Sequence, residues 1–175
     1  MTAQVPTYPE LLRSAANRAV HLELRDVYTI EGEKERIAAW RAGRRWDRND
    51  RASWWRPWLD VVAETAARGV AVQRARVVSE PLSEYLRYSY SYAFTNAEAG
   101  EQLRWLSRRR ASDLALPGND CWLVDHRLVL FNHFDGEGRP AGVEVSEDPN
   151  VVRLWSSAFE SVWERAIDHE TYRPS

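Results

Sequence analysis

The chain has 175 residues, 44% of them hydrophobic and 29% charged, which suits one domain with its own core. Its 26 acidic and 24 basic side chains nearly cancel, leaving a formal net charge of -2, so no global field draws it to nucleic acid. No stretch approaches the roughly 18 apolar residues of a bilayer-crossing helix, the first residues lack the features of a secretion signal, and the single Cys121 has no partner for an internal disulfide. A cytoplasmic single domain over residues 1–175, without membrane contact, is expected.

In chain order, "PELLRSAANRAVHLEL" opens with helical spacing at Leu11, Leu12, Ala15, Ala16 and Ala19, then alternates, with Val20, Leu22 and Leu24 set against His21, Glu23 and Arg25. A short helix feeding a strand is predicted. The alternation would place His21, Glu23 and Arg25 side by side with Asp26 at the strand end, a base, an acid and a cation in a small area. That face reads either as a pocket or as a solvated or ion-paired strand face. "TIEGEKERIAAWRAG" predicts a helix over about Glu33 to Ala42, closed by Gly43. "RRWDRNDRASWWRPW" then reads as a connection whose tryptophans dock on the body. In "PWLDVVAETAARGVAVQRARVV" the spacing of Leu59, Val62, Ala63 and Ala66 predicts a helix that begins near Pro57 and stops at Gly69, followed by a strand from Val70 to Val78.

Ser79 to Pro81 breaks that strand, Leu82 to Tyr92 is read as helical, and "QLRWLSR" as a short strand. "CWLV" and "RLVLFNHF" form a hairpin around Asp125 and His126, "DGEG" supplies a second turn and "GVEV" a third strand. Asp148 as N-cap and Pro149 at the first helical position open a last helix, with an apolar stripe at Val151, Trp155, Ala158, Phe159, Val162 and Ala166. The expected fold is mixed α/β, a central sheet with a C-terminal antiparallel meander and flanking helices.

Cys121 with His126 or His133 would be the elements of a thiolate pair, but a cysteine beside Trp122 in a strand reads more simply as packed core. The four histidines, His21, His126, His133 and His169, lack metal-ligand spacing. "DGEG" lacks the flanking ligands of a calcium loop, and neither a Walker loop nor a dinucleotide fingerprint is present. No metal and no cofactor is expected. Arginine and tryptophan alternate between Arg41 and Trp58 and arginine recurs in "RWLSRRR", a mixture that grips phosphates and stacks bases. Asp47 and Asp50 dilute it, and the same residue types dominate protein interfaces. The candidate interface is Arg44, Arg45, Trp46, Trp54, Trp55, Arg108 and Arg109.

Together "HLELRDVY", "RVVSEPLSEYLRY", "NAEAGEQLRWLSRR", "LPGNDCWLVDHRLVLFNHF" and "AFESVWERA" resemble an actinobacterial family of unknown function over nearly the whole chain. That resemblance implies genes lying near helix-turn-helix regulators. The strand, hairpin and terminal helix are also similar to one half of the phospholipase D superfamily, whose active members carry His-x-Lys-x4-Asp: a nucleophilic histidine, a phosphate-binding lysine and a supporting aspartate. Placing the aspartate on Asp125 puts Asp120 at the lysine position and Gly118 at the histidine position. Nucleophile and cation are both missing. The resemblance therefore implies a non-enzymatic regulatory protein that works through protein contacts, with a helix-turn-helix regulator as the expected partner and a homodimer compatible with a single half. The alternatives are a nucleic-acid binder that keeps a phosphate-handling surface, and a small-ligand sensor or enzyme using the His21, Glu23, Arg25 and Asp26 face.

Overall fold

The structure, a computed structural model, describes residues 5–175. Three parallel strands form its centre: β1 (Arg18–Glu23), β2 (Ala71–Val78) and β3 (Gln102–Ser107). The meander β4 (Asp120–Val124), β5 (Leu128–Phe134) and β6 (Pro140–Ser146) adds antiparallel to the β1 edge, and the short β7 (Ile167–Asp168) pairs with β3, giving the order β6-β5-β4-β1-β2-β3-β7. This is the mixed α/β sheet with a C-terminal meander expected from the sequence.

Side chains cap the start of α1, α4 and α6, and proline or glycine marks other helix ends. In α1 (Tyr8–Ser14), Thr7 and Glu10 form a reciprocal capping box. The helix α2 (Lys34–Arg41) follows a 3-10 turn over Glu31–Glu33 and is closed by Gly43 at φ +95°. Pro57 opens α3 (Pro57–Ala67), Ser83 caps α4 (Glu84–Tyr92), and α5 (Phe94–Glu98) follows directly. Asp148 caps α6 (Pro149–Arg165) by accepting from the amides of Asn150 and Val151.

Strand alternation gives the sheet two different faces. Val20, Leu22, Ala75, Val77, Cys121, Leu123 and Val129 point to α6 and meet Val152, Trp155, Phe159 and Val162 in one apolar cluster. Truncating Phe159 to alanine there would cost about 3–5 kcal/mol. The other face carries the first five helices. Near α1 and α3 it is apolar, with Ala19, Val72, Trp122, Val124 and Leu130 against Leu11, Leu12, Leu59 and Val62. Towards the C-terminal ends of the parallel strands that face turns polar.

Two expectations are corrected here. Strand β1 ends at Glu23, so Arg25 does not stand beside His21 and Glu23. The Leu24 amide donates to Asp120 and the Arg25 amide to the Tyr28 hydroxyl, which take the chain out of the ladder. Trp54 is not a surface residue either: only 3% exposed, it lies in the core against Phe94, and its indole donates to the Asp47 carbonyl at 2.9 Å.

Candidate functional site

The polar face is built from two adjacent rungs of the sheet. His21 pairs with Arg74 on one side and Trp122 on the other; two residues on, Glu23 pairs with Arg76, while Asp120 pairs with Asn132. Because side chains repeat every second residue, His21, Glu23, Arg74, Arg76, Asp120, Trp122 and Asn132 all rise from the same face. Helices α2 and α4 stand over it and leave a half-open cavity of about 510 Å³, walled by Tyr28, Trp58, Tyr85, Tyr88, Tyr92 and Phe134. Tyr28 is held in that wall by a close crossing, in which the Thr29 amide donates to the Gly138 carbonyl at 2.8 Å. Gly138 has φ +75°, and a Cβ there would fall 2.7 Å from the Val27 carbonyl, so only glycine permits the approach.

The floor is an ionic network. Glu23 is 7% exposed and takes a hydrogen bond from Arg74, while Arg76 Nε lies 2.8 Å from its other oxygen but off the hydrogen-bond axis. Arg74 is shared with Glu101, 2.8 Å from its Nε, and Arg76 also donates to Ser89. Burial would push the Glu23 carboxyl up, but Arg76 and Arg74 outweigh it and hold the value at about 2. Burial, helped by Arg74, lowers His21 to about 3 against the pull of Glu23, so its ring is neutral near pH 7. That ring stacks on Trp122 at 4.3 Å between centroids, with Nδ1 3.5 Å from Glu23.

Asp120 behaves differently. It is 2% exposed and accepts from the Tyr28 hydroxyl at 2.5 Å and the Leu24 amide at 2.8 Å, and burial raises its carboxyl to about 6 in spite of both bonds. Of the residues aligned with the phospholipase D motif, Asp120 is the one that lines the cavity. Gly118 lies in the exposed loop before β4, and Asp125 sits in the β4–β5 turn, where its carboxylate accepts from the amides of Ala16, Asn17 and Arg18, each at 2.8 Å. Both Asp125 and His126 have φ near +50°, the backbone of a tight hairpin turn.

The four-residue polar face expected from the sequence is thus divided. His21 and Glu23 line the cavity. Arg25 instead donates to the Asp135 carbonyl and lies 5.6 Å from the Phe134 ring centroid, and Asp26 accepts from the Ser79 amide and hydroxyl at 2.7 and 2.6 Å. The candidate interface divides as well. Arg44, Arg45 and Arg109 are exposed, whereas Trp46 and Trp55 are half-buried against the core, the Trp55 indole donating to Asp60 at 2.7 Å. Arg108 ties strand ends together through the carbonyls of Leu24 and Val77. Sequence reasoning missed Arg74 and Arg76, although charged residues inside the apolar run of a central strand were a visible signal. It also missed Tyr85, Tyr88 and Tyr92, whose three- and four-residue spacing marks one face of α4.

The whole of this architecture falls within a single family match, to DUF6879, a domain of unknown function, over residues 6–174. The chain belongs to the DUF6879 family. No curated protein is significantly similar to this DUF6879 domain. Among solved structures, Nuc from Salmonella typhimurium, a phospholipase D family member, superposes with a TM-score of 0.51 at 13% identity, covering 94% of this chain and 88% of that one. NucT from Helicobacter pylori gives a TM-score of 0.47 at 13% identity over 91% and 87% of the two chains. TrmBL2, an archaeal chromatin protein, gives 0.48 at 18% identity over 91% of this chain and 48% of that one. At such identities the likeness concerns the fold alone: this DUF6879 domain has a phospholipase D-like fold.

Proposed function

We propose that this DUF6879 domain is a non-catalytic regulatory protein whose cavity binds a small molecule. The observation that carries the reading is the cavity over His21 and Glu23, about 510 Å³, with a prearranged ionic floor and aromatic walls. Its volume and lining are those of small-molecule sites, apolar and aromatic walls with a few fixed polar groups. The absence of catalysis is supported by the motif positions: Gly118 has no side chain to attack phosphorus, and Asp120 puts a carboxylate where a phosphate-binding cation would be needed. Cys121 is no substitute nucleophile, since it is buried and its thiol is pushed up by that burial. Binding would be passed on through protein contacts, with a helix-turn-helix regulator as the partner that the family resemblance implies.

The reading is tested by offering the protein a small-molecule extract of its own cells, removing unbound material by ultrafiltration and recording native mass spectra. Gly32 lines the cavity mouth, and a Cβ there meets nothing within 4 Å, so Gly32→Trp obstructs the opening without disturbing the core. The expected result is a stoichiometric small-molecule adduct on the wild type that Gly32→Trp loses. Equal retention by the two proteins, or none by the wild type, would refute a ligand-binding cavity.

A further inference from the structure

We propose that the ligand of this cavity is an anion: an apolar or planar body bearing a carboxylate or phosphate that is held by Arg36 and Arg56. The inference rests on the cavity being a ligand site and adds the charge of what it takes.

Four arginines line the cavity, but they are not equally compensated. Arg74 and Arg76 share Glu23, and Arg74 has Glu101 in addition. Arg36 and Arg56 come from different elements, α2 and the residue before α3, and both approach one ring, with their guanidinium carbons 5.6 and 4.9 Å from the Tyr92 centroid. Among the described residues no carboxylate lies within 4 Å of Arg56, whose donors meet the neutral Thr95 hydroxyl at 3.0 Å and the Asn96 amide oxygen at 2.6 Å. Arg36 donates to the Tyr88 hydroxyl at 3.2 Å and has Glu33 only at 3.8 Å, a carboxylate that also accepts from Tyr85.

Two guanidiniums are thus gathered at one edge of the cavity, with Glu33 paired to Arg36 alone and no carboxylate within 4 Å of Arg56 among the described residues. Burial, joined by the repulsion of Arg36, outweighs the support of Tyr92, Tyr88 and Glu101 and lowers Arg56, whereas at Arg36 the Tyr88 hydroxyl, Tyr92 and Glu33 outweigh burial and raise it. A largely buried guanidinium beside a second like charge is costly, and an anion bound at Arg56 relieves both its burial and that repulsion. Each guanidinium offers five donors in a planar fork, and the bonds to Thr95, Asn96 and Tyr88 leave donors over for the paired oxygens of a carboxylate or phosphate. The rest of the cavity sets the orientation. Glu23 and Asp120 on the floor repel an acidic group, so the acid goes to the Arg36 and Arg56 edge. The body of the ligand then lies against the rings of Trp58, Tyr85 and Phe134. Neither arginine belongs to the motif-bearing hairpin, so the anion site does not depend on the missing histidine and lysine.

The test is calorimetric titration with phenyl phosphate, benzoate, benzamide and benzylamine, four probes of similar shape and different charge. Wild type is compared with Arg36→Gln, Arg56→Gln and Arg56→Lys, each checked for folding by circular dichroism and Tm. The expected result is that phenyl phosphate or benzoate binds at least tenfold tighter than benzamide. Either glutamine variant should bring the anions down to the benzamide level, while Arg56→Lys, which keeps the charge but loses the planar fork, weakens the anions and still binds them tighter than benzamide. The better of the two anions tells phosphate from carboxylate. If benzamide or benzylamine binds wild type as tightly as the anions, or if the glutamine variants keep the preference, the anion assignment is overturned while an extract-derived adduct blocked by Gly32→Trp would still stand. Loss of that adduct difference would sink the cavity itself.

Discussion

At the scale of single residues, Asp120 carries the sharpest consequence. It is the residue that the sequence alignment sets at the lysine position of the phospholipase D motif, and the fold buries it in the lining of the cavity. Its folded value of about 6 lies above the ordinary 3.8. The sign follows from linkage: a raised carboxyl contributes stability that is present below about pH 4 and is lost as pH rises through 6. Asp120→Asn cannot ionise and escapes that loss. The stability of the variant relative to wild type should therefore rise between pH 4 and 6, on the order of 2–3 kcal/mol for a two-unit displacement. His21 titrates in the opposite sense, its full contribution present above pH 6.5 and lost towards pH 3, but it is common to both proteins and cancels in the difference. Urea midpoints at pH 4, 5, 6 and 7.5 measure this; two parallel curves would mean that Asp120 is not held out of water as described.

At the scale of elements, Asp125 is a clasp between α1 and the meander. Its carboxylate satisfies three consecutive amides, of Ala16, Asn17 and Arg18, at the point where the chain turns from helix to strand. Hydrogen bonds to a charged acceptor are the strong kind, and Asp125 also tolerates φ +51° better than alanine would. Asp125→Ala should lose about 3–4 kcal/mol, read from the chemical denaturation midpoint, and Asp125→Asn about half as much because the amide oxygen still accepts. A loss within ±0.5 kcal/mol would remove the clasp.

How much of these elements the sequence reveals depends on whether the signal is local. Pro57 with Gly69, Asp148 with Pro149, and the alternation of "CWLV" and "RLVLFNHF" are contained in a dozen residues and mark α3, α6 and the β4–β5 hairpin at nearly their observed bounds. The end of β1 is not local. Leu24 to Asp26 continue the alternation, and they leave the sheet because Asp120 and Ser79, distant in sequence, and Tyr28, three residues past Arg25, take their polar groups. The site is harder again. His21 and Glu23 stand out as a polar strand face, but their meaning comes from Arg74 and Arg76 one strand away and from the tyrosines of α4. Trp54 misleads for a related reason: a tryptophan in an arginine-rich connection has the composition of an interface, and only the packing against Phe94 reveals it as core.

At the scale of the whole molecule, the question is whether the arginines make a nucleic-acid surface. Eleven of the 23 arginines have a carboxylate within 4 Å, on the surface among them Arg48 with Glu98 and Glu170, Arg165 with Asp113, Arg18 with Glu160, Arg127 with Glu147 and Arg139 with Asp135. Ion pairs of this kind add little stability, but they cancel the field that steers phosphate backbones, and at physiological salt the screening length is only about 8 Å. Among the described residues the exposed arginines without such a pair are Arg44, Arg45, Arg51, Arg68, Arg87, Arg109, Arg110, Arg153 and Arg173, spread along the chain from the loop after α2 to its last residues, on a protein of net charge -2. Affinity for double-stranded DNA at about 0.15 M salt should therefore stay in or below the non-specific range of roughly 10⁻⁴ to 10⁻⁶ M. Arg44→Glu together with Arg45→Glu, both on the surface, should leave Tm nearly unchanged. Retention of a helix-turn-helix regulator from cell extract should survive nuclease treatment and be lost in that double variant. Fluorescence anisotropy on DNA of mixed sequence, read beside the nuclease-treated pull-down, separates the two kinds of partner. Submicromolar DNA binding that falls steeply with salt, together with a regulator recovered only before nuclease, would make the exposed arginines a nucleic-acid surface and exclude the direct protein contact.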